Sequence, residues 1–136
     1  MDKVSNNNLV EIARVGCEIG KLMDFNTKLI AAINTSVEGI ALLDENGIYT
    51  WMNEAHETMF GYSKDELIGK SWTTIYKKRD VNRFIDEVFP IIEENGYWRG
   101  EATAISKDGK TKVEEIVTLT ALPDGGLICT CRNKNI

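Results

Sequence analysis

Three glycine-bearing turns constrain this chain more than any other feature. Asp44-Glu45-Asn46-Gly47, Lys107-Asp108-Gly109 and Pro123-Asp124-Gly125-Gly126 each separate β-prone runs. In Asn46-Gly47 both residues tolerate the positive φ of a tight hairpin turn, so the runs 40–43 and 48–52 fold back on each other. From Trp98 onward the other two turns divide the chain into three strands, the last running from Leu127 into Arg132. Sequential hairpins pair antiparallel. The expected fold class is therefore α+β: a five-stranded antiparallel sheet with short helices on one face, preceded by an N-terminal amphipathic helix.

The middle of the chain supplies the short helices. Residues 54–60 read as a helix stopped at Gly61, and Ser63 with Glu66 three residues on reads as a capping box for the next turn. Val81, Phe84, Ile85, Val88, Phe89 and Ile92 recur on one helical face. Pro90 lacks the N–H of an i to i−4 bond, so this helix kinks or ends near Phe89, and Asn95-Gly96 supplies the C-terminal stop.

Ahead of the sheet, Ile12, Val15, Ile19, Leu22, Asn26, Leu29 and Ile33 recur at alternating spacings of three and four. Read as heptads, Ile occupies a positions, Val or Leu every d position, and Asn26 is the one polar a residue that fixes register, the pattern of a parallel two-stranded coiled coil. Gly16 and Gly20 weigh against it at about 1 kcal/mol each. So do Glu11 and Glu18, which have no basic partners at the e and g positions. The alternative is an amphipathic helix packed on its own sheet. The expected organisation is a helical dimerisation and signalling segment over 1–35 and a sensor domain over 36–136, with Thr35-Ser36 ending the helix.

Asn53-Glu54-Ala55-His56-Glu57-Thr58-Met59-Phe60-Gly61-Tyr62-Ser63-Lys64-Asp65-Glu66-Leu67-Ile68-Gly69-Lys70 resembles the signature of PAS domains. In that family a strand ends in Asn-x-Ala, a short helix closes on Gly-Tyr, and Glu-Leu-Ile-Gly-Lys comes next. Tyr97-Trp98-Arg99-Gly100-Glu101, Lys107-Asp108-Gly109-Lys110 and the strand into Arg132 continue the resemblance, which covers residues 36–132. At the end the chain departs from it. Many members finish in Arg-Asp-Ile-Thr, coupling the sheet to an output helix, whereas this chain reads Arg132-Asn133-Lys134-Asn135-Ile136.

The resemblance implies a ligand-sensing or dimerising module of a histidine kinase, cyclase or transcription regulator, with any ligand held between the sheet and the helix at 81–89. The candidate lining is Tyr49, Trp51, Trp72, Ile75 and Phe84, together with Val88, Trp98, Thr118, Cys129 and Cys131. Period-two alternation leaves one choice open: on the strand 112–122, Val113, Val117 and Leu119 compete with Ile116, Thr118 and Leu122 for the buried face.

Three functional readings are open. The first is a sensor that binds a small molecule or a partner and transmits through a dimerising N-terminal helix. The second is a redox or gas sensor carrying flavin or haem. Trp98-Arg99-Gly100 is similar to a run in flavin-binding members, but cofactor-free relatives share it, and Ser71-Trp72-Thr73-Thr74 stands where flavin-adduct photosensors carry their cysteine motif. Haem-binding members usually place the proximal histidine on the long helix, and residues 80–95 contain none. The third reading is a cofactor-free interaction domain filled by Tyr49, Trp51, Trp72, Phe84 and Phe89.

Composition removes other classes. A net charge of −5 argues against a nucleic-acid face. No run approaches the ~18 apolar residues of a membrane span, and residues 1–8 lack the layout of a signal peptide, so we expect a cytoplasmic segment without membrane contact. His56 begins a His-Glu pair, but Phe60 stands where a zinc helix needs its second histidine, so no metal site is expected and His56 reads as a partly exposed structural residue. Cys129 and Cys131 share a strand face and read as small apolar fillers. No nucleophile–base pair, carboxylate dyad or phosphate loop is visible, and we expect no catalytic residues and no enzyme activity.

Overall fold

The computed structural model describes residues 2–135, residues 2–7 by backbone alone. The chain divides into two compact units, 1–34 and 35–136. Helix α1 spans Asp2–Asn34. Along it Ile12, Val15, Ile19, Leu22 and Leu29 are exposed, Met23, Phe25 and Ile30 widen the apolar stripe, and Ile33 is half-buried. Within the helix Arg14, one turn away from Glu11 and from Glu18, pairs with both, to Glu18 at 3.0 Å. Such i,i+3 and i,i+4 pairs support a helix by a few tenths of a kcal/mol each.

The second unit is built on strands β1 (Gly39–Leu43), β2 (Tyr49–Met52), β3 (Tyr97–Ile105), β4 (Lys112–Ala121) and β5 (Leu127–Asn133). They form one antiparallel sheet in the order β2-β1-β5-β4-β3. The hairpins β1–β2, β3–β4 and β4–β5 are those the turns dictate. The long-range pairing of β1 with β5 joins them. At the first turn only Gly47 has positive φ, 76°, and Asn46 does not. Asp44 organises the turn instead, its Oδ1 accepting the N–H groups of Asn46 at 2.8 Å and Ile48 at 3.0 Å. Ile48 accordingly leaves the ladder and bridges to Ser71, and β2 begins one residue later than expected.

Short helices cover one face: α2 (Glu54–Phe60), α3 (Lys64–Leu67), a 3-10 turn (Trp72–Ile75), α4 (Lys78–Arg83), a π turn (Phe84–Val88) and α5 (Phe89–Asn95). Gly61 and Gly96, at φ 79° and 84°, close α2 and α5. The Ser63 N–H donates to Glu66 Oε1 at 3.0 Å, and the Ser63 side chain answers the Glu66 backbone, which makes the expected capping box. At Pro90 the backbone stays right-handed helical through Val88 and Phe89, and a π turn hands over to α5 at Phe89. The Phe89 N–H reaches back five residues to the Phe84 carbonyl, and this wide turn absorbs the donor that Pro90 lacks. Phe84, Val88 and Ile92 face the core, whereas Ile85 is exposed. The core itself lies between these helices and the inner face of the sheet, with Met52, Phe60, Leu67 and Ile75 fully enclosed. Ile136, last residue of the C-terminal departure, lies outside the described residues.

Candidate functional site

Strand β4 alternates, and its inner face carries Val113, Glu115, Val117 and Leu119, all buried. An acid in that register is the most unusual residue in the core. Glu115 is 1% exposed, and its Oε1 accepts from the Tyr76 hydroxyl at 2.7 Å, while Oε2 has no partner. Burial pushes its carboxyl up to about 7, and the Tyr76 bond opposes that rise. Burial likewise holds the Tyr76 phenol well above its ordinary value, so it stays the donor.

His56 enters the same space from α2. Asn53 places it: the Asn53 side chain caps α2 by accepting the His56 N–H at 3.1 Å, accepts the Ile40 N–H at 2.8 Å, and donates to the Glu38 carbonyl at 2.9 Å. The imidazole is tilted against Phe60 at 4.6 Å between centroids and edge-on to Tyr49 at 5.7 Å. It is 2% exposed rather than partly exposed, Nδ1 has no partner, and burial lowers its pKa to about 4, so the ring is neutral. The close approach depends on Gly39, where a Cβ would stand 3.2 Å from the His56 Cα and 2.9 Å from the Cys131 sulfur.

Glu115, His56, Tyr76 and Tyr49 line a cavity of about 30 Å³, walled by Trp72, Ile75, Phe84 and Phe89 on the helical side and by Cys129 and Cys131 on β5. Burial raises both thiols, that of Cys129 to about 12, and Cys131 Sγ donates to the Gly39 carbonyl at 3.4 Å. These are protonated thiols without the electropositive surroundings of a reactive cysteine. Leu43, Trp72, Phe89 and Leu127 also line a surface groove of about 560 Å³, so the groove and the cavity border the same side chains.

The cavity gathers Tyr49, Trp72, Ile75, Phe84, Cys129 and Cys131 of the expected lining. Val88 is buried outside it. Trp98 is half-buried on the inner face, its indole crossing Gly100 and edge-on to Phe84 at 5.9 Å. Trp51 and Thr118 lie on the opposite face of the sheet. A bulge between the β1–β2 pairs sets Tyr49 opposite Leu43 but Trp51 opposite Leu42, so the two tyrosine-tryptophan positions point to different faces. Thr118 pairs with Thr130 in the half-exposed set, because Val117 and Leu119 take the core side. Glu115, Tyr76 and His56 were not among the expected lining. The alternation Val113, Glu115, Val117 signals Glu115 once that face is known to be inner.

Gly47 packs against Trp72, which borders both the cavity and the groove. A Cβ there would lie 2.6 Å from Trp72 Cδ1, and the backbone is left-handed. Gly47→Ala is expected to cost about 1–2 kcal/mol from the left-handed backbone alone. It also displaces Trp72, so urea unfolding and a shifted tryptophan emission should both report it.

The antiparallel sheet with short helices over one face, and a small part-polar cavity between them, define a compact α+β module. A family description of the PAS domain matches residues 37–134, and the chain belongs to the PAS family, whose members are sensory modules generally without catalytic activity. Mouse high-affinity cAMP-specific and IBMX-insensitive 3′,5′-cyclic phosphodiesterase 8A is 24% identical over 100 residues, covering 74% of this chain but 12% of that protein. The chain thus spans about an eighth of the curated relative it matches. Among solved structures, a PAS domain of a Colwellia psychrerythraea protein superimposes with TM-score 0.74 at 23% identity, covering 80% of this chain and 96% of that one. A domain of a sensory box sensor histidine kinase/response regulator from Geobacter sulfurreducens does so with TM-score 0.68 at 23% identity, covering 82% and 96%. At these identities the likeness is one of fold.

Flavin or haem does not fit the cavity described. About 30 Å³ is an order of magnitude below the ~300 Å³ at which small-molecule pockets begin. No helix among the described residues is long and apolar enough to cross a membrane.

Proposed function

We propose that this chain is a signal-transduction sensor that takes a small ligand into the Glu115 cavity and passes the bound state to a homodimer paired through α1. The output to which such a module connects is a histidine kinase, cyclase or transcription regulator, in the cytoplasm. One observation carries the reading: the enclosed Glu115 carboxyl has an acceptor oxygen with no partner, facing a cavity. An unsatisfied buried acceptor costs about 1–3 kcal/mol, more when charged, and a core filled only for packing has no use for it. This favours a ligand site over a purely structural interaction domain.

Pairing through a second copy is supported by the seam itself. Ile at a with Leu at d selects two strands, and Asn26 selects register. Leu22→Asp is expected to convert a dimer to a monomer in sedimentation, because a charge at a d position finds no partner in the seam. A wild-type chain that sediments as a monomer at about 100 µM, above the range of useful coiled-coil pairing, would remove the dimer from the proposal.

The ligand reading is tested by an NMR screen of neutral, anionic and cationic molecules of two or three heavy atoms. Shifts converging on the amides of His56, Tyr76 and Glu115 are expected. Ligands this small bind at best near millimolar, so silence of all three up to about 50 mM would overturn it.

A further inference from the structure

Buried carboxylates in folded proteins are paired or neutralised, and the surroundings of Glu115 supply no cation. No lysine or arginine among the described residues lines the cavity. The titratable groups that do are His56, Tyr49, Tyr76, Cys129 and Cys131, and burial favours the neutral form of each. Tyr76 satisfies one carboxyl oxygen. The other faces an interior whose remaining polar atom without a partner, His56 Nδ1, is an acceptor or a donor according to tautomer.

Around that carboxyl stands a cluster of aromatic rings. Trp72 meets Phe84 at 5.6 Å and Phe89 at 5.3 Å, and Tyr76 meets Phe84 at 5.1 Å, all edge-on or tilted, and all four line the cavity. Aromatic walls with one carboxylate are the chemistry that recognises an organic ammonium: the carboxylate accepts its N–H, and the rings take the alkyl groups, whose carbon next to the nitrogen shares the positive charge. The volume limits its size. A water needs about 10–15 Å³ of such space, so a cavity of about 30 Å³ takes a molecule of two or three heavy atoms.

Resting on the sensor reading above, we propose that the ligand class of this cavity is a small primary ammonium, its N–H groups given to Glu115 Oε2 and its short alkyl end set against Trp72, Phe84 and Phe89. The groove beyond Trp72 and Phe89 supplies the way in.

The probes are ethylammonium chloride and its neutral isostere ethanol, titrated into the full chain against matched sodium chloride and followed by the His56, Tyr76 and Glu115 amide shifts. Ethylammonium is expected to bind more tightly at pH 8, with a dissociation constant near millimolar. Its affinity should fall about tenfold from pH 8 to pH 6, because the amine stays charged while the carboxylate fraction of a group titrating near 7 falls about tenfold. Ethanol should show no such dependence. In Glu115→Gln the ethylammonium preference should vanish while ethanol still binds.

Ethanol binding with ethylammonium excluded, or an ethylammonium affinity indifferent to pH, would overturn the ammonium assignment and leave the sensor cavity standing. Failure of both probes, with the rest of the small-molecule screen also silent, would remove the sensor reading itself. Because the pH series uses the wild-type chain, it decides the matter even if Glu115→Gln does not fold.

Discussion

Asn53→Ala is expected to destabilise the 35–136 unit by about 4 kcal/mol, the largest effect of any single truncation outside the apolar core. The side chain is fully buried and serves three backbone groups at once: it accepts from Ile40 and His56 and donates to Glu38. Alanine leaves two N–H groups and a carbonyl to find other partners in a part-buried region, at about 1–3 kcal/mol for each that fails. The helix also loses its cap, itself worth about 1 kcal/mol. Urea unfolding at fixed m should show the loss as a lowered midpoint. Asn53→Ser should recover about 1 kcal/mol, since serine caps the His56 N–H but is too short to serve Ile40 and Glu38 together. A loss below about 1 kcal/mol in Asn53→Ala would mean that these groups are solvated in the native state.

Asn53 also illustrates what was legible in the sequence. It opens the run that resembles the PAS signature, and the part of its role that was readable is the local one: strand end, cap and helix start lie within a few residues of one another, whereas its bonds to Ile40 and Glu38 reach 13 and 15 residues back. The same locality made Gly61 and Gly96 readable as helix stops. It made the three hairpins readable too, because each turn carries its own φ requirement. The pairing of β1 with β5 involves residues some ninety positions apart, as in Gly39 with Cys131, and no turn encodes it. Antiparallel class was therefore derivable from the turns, whereas strand order was not.

The site was less legible for two physical reasons. A bulge breaks the period of two on β2, and no residue in Tyr49-Thr50-Trp51 announces it, so alternation carried Trp51 inward when it belongs outside. On β4 both faces are apolar enough to be inner, and the set containing Thr118 looked as suitable as the set containing Glu115. A sheet face covered by helices usually excludes an acid, so the sequence pattern pointed away from the residue on which the cavity turns. The widened turn before Pro90 belongs to the same class. Proline predicts an interruption, but whether the chain breaks, bends or adds a residue to one turn depends on how Phe84 and Val88 pack.

His56→Leu and Glu115→Gln are expected to tilt the pH dependence of stability in opposite directions, and the wild-type chain should show neither slope. His56 has a folded pKa of about 4 against an ordinary 6.5, so the unfolded chain binds the extra proton between those values. Its contribution is complete above pH 6.5 and is lost as pH falls toward 4. Glu115 has a folded pKa of about 7 against an ordinary 4.5, so here the folded chain holds the extra proton. Its contribution is complete below pH 4.5 and is lost as pH rises toward 7. Each shift corresponds to about 3 kcal/mol across its window. From pH 4.5 to 6.5 the two slopes oppose and nearly cancel. The carboxyls held low, Glu66 by Lys107 and Asp108 by Thr111, add their own losses only as the pH falls below that window. Removing the imidazole should therefore leave a domain that weakens by about 3 kcal/mol from pH 4.5 to 7, and removing the acid should leave one that strengthens by about as much. Urea midpoints measured across that range for the two variants and the wild type check the sign directly. Parallel profiles would mean that neither group is held in the protonation state its burial dictates, and that water reaches both from the groove beyond Trp72.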